Sequence, residues 1–378
     1  MQTDIDVLLI GAGDLGGWVA ECLPRLPGME YKRFVLADIH EEAARKRVFS
    51  LWAGASYLNR SLKMESAKMD LFNIDETGEL LRKWNPRIVC NMTSLQSWWV
   101  VDELPKEIWS RLETEAGFGP WIPMHLTLTH RLMQAIQKYG IKTLVVNCSF
   151  PDLTNPVLGS VGLAPTCGIG NADLLLPGIR REVARRINIP VGAVLVYLVA
   201  HHSHCIQFMI LKKPGTPYHL KIIAGDQDVT KRFDPDELIL SGMRDWLPGR
   251  HFHPVVAASA AKNIRNLLLD TGELSYVPGP NGEIGGYPVR MWSKGVEVVL
   301  PEGITMEEAR KINADAQKKD GIERIEKDGT VVFTDEASSL MKELMGYECK
   351  TMKIEESDER AKELLSRYRE LKKKHGLY

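Results

Sequence analysis

Ile5-Asp6-Val7-Leu8-Leu9-Ile10-Gly11-Ala12-Gly13-Asp14-Leu15-Gly16-Gly17 decides how the rest of the chain is read. An apolar run with no polar alternation after Asp6 predicts a buried parallel strand, and the glycines that follow form a GxGxxG turn into a helix. Each glycine has its own task. Gly11 permits the tight turn, Gly13 lets the backbone approach a pyrophosphate, and Gly16 lets helix and strand pack closely. Phosphates then lie at the positive end of the helix read over Trp18 to Leu26, against unpaired N–H groups, and Asp14 and Leu15 of the turn count with the glycines as cofactor contacts. Arg33-Phe34-Val35-Leu36-Ala37-Asp38 reads as the second strand, and Asp38 falls where a carboxylate accepts a ribose hydroxyl. A carboxylate repels a 2′-phosphate, so NAD is favoured over NADP.

Working outward, strands are expected at 5–10, 33–38, 64–69, 87–92 and 143–149, with helices between them. That alternation predicts an α/β fold opening on a Rossmann parallel sheet. A dinucleotide-binding domain over residues 1–150 and a second, α+β domain over 151–378 follow. The connection between the fourth and fifth strands is long and holds Trp98, Trp99, Trp109, Phe118 and Trp121 around Gly117-Phe118-Gly119-Pro120. It reads either as a lid over a binding site or as the core of an added helix. Beyond Pro151, a helix is expected at 172–188, strands at 193–199, 206–212 and 219–225, and an irregular stretch at 226–253. A small-residue helix at 254–270, strands at 287–292 and 296–300, a helix from Met306, a hairpin at Lys327-Asp328-Gly329 and a charged terminal helix complete the pattern.

Composition excludes several classes. The 378 residues carry 48 Lys and Arg against 49 Asp and Glu, with acids and bases interspersed, so neither a nucleic-acid footprint nor a membrane-surface patch is expected. No apolar run approaches a bilayer span, and the first strand starts too early for a signal peptide. Six scattered cysteines suit reduced thiols in a cytoplasmic protein. The expected partner is a small-molecule substrate, with a homo-oligomeric assembly.

Ligands of an open parallel sheet bind beyond the carboxyl ends of its strands. Thr93 and Asn147 fall there, Asn147 being followed by Pro151-Asp152. The later strand Ala193 to Val199 ends in Ala200-His201-His202-Ser203-His204, and an imidazole at a strand end can move a proton at a carbinol or carbonyl oxygen. His201 is the first choice, His202 and His204 the substitutes, and Asp173 the nearest carboxylate in chain order to orient the ring.

This order of elements resembles the lactate/malate dehydrogenase superfamily, including its offshoot, glycoside hydrolase family 4. The matching pieces are Val145-Val146-Asn147-Cys148, Cys167-Gly168-Ile169-Gly170-Asn171-Ala172-Asp173, and Val199-Ala200-His201-His202. The resemblance implies that His201 is the catalytic histidine, Asp173 its partner, and Asn147 a contact to nicotinamide or substrate. It departs in lacking the arginine that clamps a substrate carboxylate, both after Asp173 and in Thr93-Ser94-Leu95-Gln96-Ser97-Trp98-Trp99. The expected activity is an NAD-dependent oxidoreductase acting on a carbinol or carbonyl carbon of a small, cyclic or sugar-like substrate, with no metal. Three alternatives stay open. The offshoot implies a glycosidase using NAD and a divalent metal on Cys167 and His202; an opine-type reductive condensation and a dinucleotide-binding regulator without turnover share the first domain.

Overall fold

A computed structural model describes residues 4–377 of the chain. Six parallel strands form the central sheet: β1 (Val7–Ile10), β2 (Phe34–Asp38), β3 (Met64–Lys68), β4 (Ile88–Asn91), β5 (Leu144–Asn147) and β6 (Cys167–Gly168). Their order is β3-β2-β1-β4-β5-β6, so the direction of winding reverses between β1 and β4. That reversal opens a crevice above the strand ends. β1 is buried along its whole length, which is why its sequence does not alternate, while edge strand β3 carries Glu65 and Lys68 into solvent.

Thirteen α-helices are described: α1 (Asp14–Cys22), α2 (Glu41–Tyr57), α3 (Ile74–Trp84), α4 (Lys106–Arg111), α5 (Ile122–Lys138), α6 (Pro151–Ser160), α7 (Leu176–Ile187), α8 (His202–Cys205), α9 (Pro235–Gly242), α10 (His253–Leu269), α11 (Met306–Gln317), α12 (Asp335–Met345) and α13 (Ser357–Lys374). None is long and apolar enough to cross a membrane. The sequence places α1 four residues too late, since Asp14 and not Trp18 opens it.

Three small antiparallel sheets accompany the parallel one. They comprise β7 (Val194–Val199), β8 (His219–Ala224) and β9 (Gln227–Asp228); β10 (Leu274–Pro278), β11 (Gly286–Trp292) and β12 (Gly295–Val298); and β13 (Ile322–Ile325), β14 (Val331–Phe333) and β15 (Thr351–Met352). The strand expected at 206–212 is instead a helical continuation of α8, wound as a π-turn over Ile206–Ile210. A short apolar run carries no period of its own, and the preceding helical turn settles it.

Both faces of the parallel sheet are covered by chain from well beyond residue 150. One face packs residues such as Leu8, Val89 and Ile122 together with Val331, Leu364 and Tyr368 from the C-terminal segment. The other face packs Val7, Leu9 and Val146 with Ala257, Ile264 and Val289. A third core gathers Ile179, Val196, Phe208 and Leu238. The sheet also takes its sixth strand from beyond residue 150.

Candidate active site at the strand ends

The glycine turn is built as its residues dictate. Gly11 has φ +105°, and a Cβ there would lie 3.1 Å from the Met92 carbonyl oxygen. A Cβ on Gly16 would stand only 1.8 Å from the Gly11 carbonyl oxygen, so α1 reaches the turn only because that position has no side chain. Gly13 differs, because a Cβ there would meet nothing within 4 Å. Its space opens outward beside the α1 N-terminus. The Asp38 carboxylate accepts the N–H of Ala12 at 2.8 Å and that of His40 at 2.8 Å, which ties the end of β2 to the turn. Asp14 is already engaged, its Oδ2 lying 2.6 Å from His253 Nδ1 at the start of α10. These features fit a dinucleotide: open backbone at Gly13, a free helix end and a fixed carboxylate at the second strand.

A cavity of about 360 Å³ runs from this turn into the molecule. Leu15 and His253 line it near the turn, His202 and Phe118 further in, and Trp98 and Trp109 along the lid. The long connection therefore serves both roles weighed for it. Trp98, Trp109 and Phe118 face the cavity, whereas Trp121 is buried and packs edge-on against Tyr368 of α13.

The histidine cluster is sorted by burial. His202 lines the cavity, its Nδ1 is 2.8 Å from Asp320 Oδ2, and its Nε2 has no hydrogen-bond partner among the described residues. Its ring packs against Phe118 and Phe150 at centroid distances of 5.6 and 5.1 Å. His201, the first choice from sequence, is fully buried and does not line the cavity. Its Nδ1 lies 3.3 Å from Asp320 Oδ2 and 3.3 Å from the Ser203 amide that donates to it, while its Nε2 is enclosed without a partner. His204 is structural: Nδ1 accepts the His201 N–H at 2.9 Å, and Nε2 lies 3.1 Å from the Pro217 carbonyl oxygen. β7 ends at Val199 as expected, and of the two imidazoles that follow it is the second, His202, that lines the cavity.

The carboxylate set against the His202 and His201 rings is Asp320. Asp173 is instead held by Ser259 Oγ at 2.5 Å and Lys262 Nζ at 2.9 Å, away from the three imidazoles. Asp320 follows α11 and is gripped by the lid. Phe118 N donates to its Oδ1 at 3.3 Å. A Cβ on Gly117 or Gly119 would lie 2.5 or 2.3 Å from Asp320 backbone atoms, so the Gly-Phe-Gly turn exists to let the lid reach this residue. Burial alone would raise the Asp320 carboxyl, but His202 and His201 reverse this and hold it well below the usual carboxylate range. Burial likewise works against the charged form of His202, and the charge and hydrogen bond of Asp320 overcome it, leaving that imidazole raised.

Asp152, at the start of α6, completes the cluster. It is fully buried, accepts the His202 N–H at 3.2 Å and a bond from the Asn171 amide, and is pushed up to about 6 by burial. Asn147 is also fully buried and does not line the cavity. Its carboxamide donates to Thr154 Oγ1 and Asn155 Oδ1, each at 2.9 Å, and accepts from Ser149 N at 3.1 Å, so it shapes the turn beneath the site. Asn91 donates to Asn147 at 3.2 Å and accepts the Thr93 hydroxyl at 2.7 Å, joining the ends of β4 and β5.

Sequence reading missed His125 as well as Asp320. His125 lines the cavity from α5, its Nδ1 lies 3.1 Å from Ser149 Oγ, and burial lowers it to about 3, so it stays neutral. Cys167 does not reach the cavity. It is fully buried in the sheet core, and burial pushes its thiol up to about 12. Cys167 therefore does not share the cavity with His202, and among the described residues no group of three His, Cys, Asp or Glu side chains is placed to hold an ion.

No protein-family model and no curated protein matches the chain. Solved structures do. A malate dehydrogenase from Plasmodium falciparum in complex with NADH superposes with TM-score 0.56 at 14% identity, covering 84% of this chain and 97% of that one. A lactate dehydrogenase from Eimeria maxima with NADH and oxamate gives 0.57 at 15%, covering 84% and 92%. A lactate dehydrogenase from Cryptosporidium parvum with lactic acid and cofactor gives 0.56 at 16%, covering 84% and 96%. Glycoside hydrolase family 4 gains no such support. The chain shares the fold of the lactate and malate dehydrogenases and resembles that superfamily remotely.

Proposed function

We propose that this protein is an NAD-dependent oxidoreductase acting at a carbinol or carbonyl carbon of a small molecule, with His202 as the acid/base and Asp320 as its positioning residue. One observation carries the reading. A single cavity is lined at one end by Leu15 of the glycine turn and further in by an imidazole with an unpartnered Nε2. A bound nicotinamide dinucleotide supplies the two-electron hydride chemistry. The turn Gly11 to Gly16 would hold its phosphates, and Asp38 its ribose.

The remaining work belongs to the protein. In oxidation, the neutral His202 takes the hydroxyl proton at Nε2 as the carbon gives up hydride; in reduction, the imidazolium returns it. Asp320 fixes the ring tautomer by accepting a hydrogen bond from Nδ1–H, which leaves Nε2 free to take the proton, and it stabilises the cation that forms. Phe118 and Phe150 hold the ring from its sides, and the aromatic lid excludes water. NAD is favoured over NADP because the Asp38 carboxylate would stand against a 2′-phosphate.

The test is turnover of a carbonyl library with NADH by wild type and His202→Asn. The substitution should reduce turnover about 10²–10⁴-fold while NADH binding persists. Equal turnover by His202→Asn, or no NADH binding by wild type, overturns the reading.

A further inference from the structure

The cavity has an unusual charge. No lysine or arginine lines it, while Glu113 and Asp102 do. Lys212 lies over the Trp246 ring at 5.9 Å and Arg250 over the Trp99 ring at 5.7 Å, and neither lines the space. Among the described residues Glu113 and Asp102 have no ion pair and no side-chain hydrogen bond. A 2-hydroxy acid would therefore bring its carboxylate against two acids with only imidazoles to meet it. A second polar group also waits for a ligand: His125 is 6% exposed, lines the same space, and its Nε2 has no partner among the described residues.

Resting on the oxidoreductase reading, we propose that the substrate carries a cationic nitrogen as well as its carbinol or carbonyl group, held by Glu113 and Asp102 against Trp98 and Trp109. Tryptophan faces attract cations best of the aromatic rings, and a carboxylate behind them completes the recognition of an ammonium group. The electrostatics agree. Burial, with Asp102 beside it, pushes Glu113 up to about 7, and the charge of His202 works the other way. A bound cation would return Glu113 to its ionised form. Because Glu113 and His202 feel each other, the cation site and the proton-transfer group serve one small molecule.

Three probes share a phenylcarbinol and differ in the group beside it, which is cationic, neutral or anionic: 2-amino-1-phenylethanol, 1-phenyl-1,2-ethanediol and mandelate. Calorimetric titration into the protein, with and without saturating NADH, should rank the ammonium compound about tenfold above the diol, with mandelate weakest. Glu113→Gln should bring ammonium and diol within about twofold, whereas Glu107→Gln, on the exposed side of α4, should leave the ranking intact. Mandelate binding as well as the amine, an unchanged ranking in both Glu113→Gln and Asp102→Asn, or no binding by any of the three overturns the proposal. Failure of NADH to bind would overturn the oxidoreductase reading separately, since the ammonium preference is also measured without it.

Discussion

At the scale of single residues, the site turns on one carboxylate. Asp320 raises the affinity of His202 for its proton, so reduction, which needs the imidazolium, should fall as pH rises through the raised His202 value. Asp320→Asn removes the opposite charge, and that alkaline limb should move down by roughly 1–3 pH units, read from the pH profile of kcat/KM. An unmoved limb would assign the proton to another group. The same pair links stability to pH. The share from Asp320 is present above the ordinary carboxylate value and fades as pH falls through its depressed one. The share from His202 is present below its ordinary value and fades as pH rises through its raised one. Gly13 and Gly16 make a second contrast. Gly16→Ala drives a Cβ into the Gly11 carbonyl and should cost about 1–3 kcal/mol of stability or more. Gly13→Ala meets open space and should leave the apo melting temperature unchanged while NADH affinity falls at least tenfold. Equal losses of stability in both variants would refute this division of labour. The glycine turn and Asp38 are legible from sequence because their logic is local. Asp320 is not, since it lies 118 residues from His202 and nothing local in Lys318-Lys319-Asp320 links it to the histidines.

At the scale of elements, the lid is braced from the far end of the chain. The Tyr368 hydroxyl of α13 donates to the Val100 carbonyl oxygen at 2.6 Å, and Lys372 lies 2.6 Å from Glu103. Tyr368→Phe keeps the packing against Trp121 and removes only that hydrogen bond, worth about 0.5–1.5 kcal/mol. KM should rise several-fold with little change in the pH profile, because the lid loosens while the Asp320 pair is untouched. A shifted pH profile would place the brace in the proton-transfer machinery instead. The elements themselves were readable wherever a pattern ran long enough. β1, β2, β4 and β5 follow from apolar runs, and α10 from its run of small residues. The run at 206–210 was not, because five apolar-rich residues suit strand or helix equally and only its junction with α8 decides. Nor could periodicity divide the lid's aromatics into wall and core, since that depends on α13 arriving beneath Trp121.

At the scale of the whole molecule, the sheet and the later chain share their cores. Val331, Leu364 and Leu371 pack with Leu8 and Val89 on one face of the sheet, and Ala260 and Leu267 pack with Val7 and Leu36 on the other. The cavity is closed by the same arrangement, since Asp14 at the glycine turn meets His253, 239 residues later. Cofactor binding at the turn should therefore stabilise every part of the chain together. At a free NADH concentration 100 times its Kd, the added stability is about 2.7 kcal/mol. Differential scanning calorimetry should show one transition that moves upward as a unit with NADH, and under the same conditions a shift of about half that size or less in Gly13→Ala. Two transitions of which only one responds would mean that the segments carrying Lys262 and Asp320 melt independently of the sheet, and that the shared cores contribute little cooperativity.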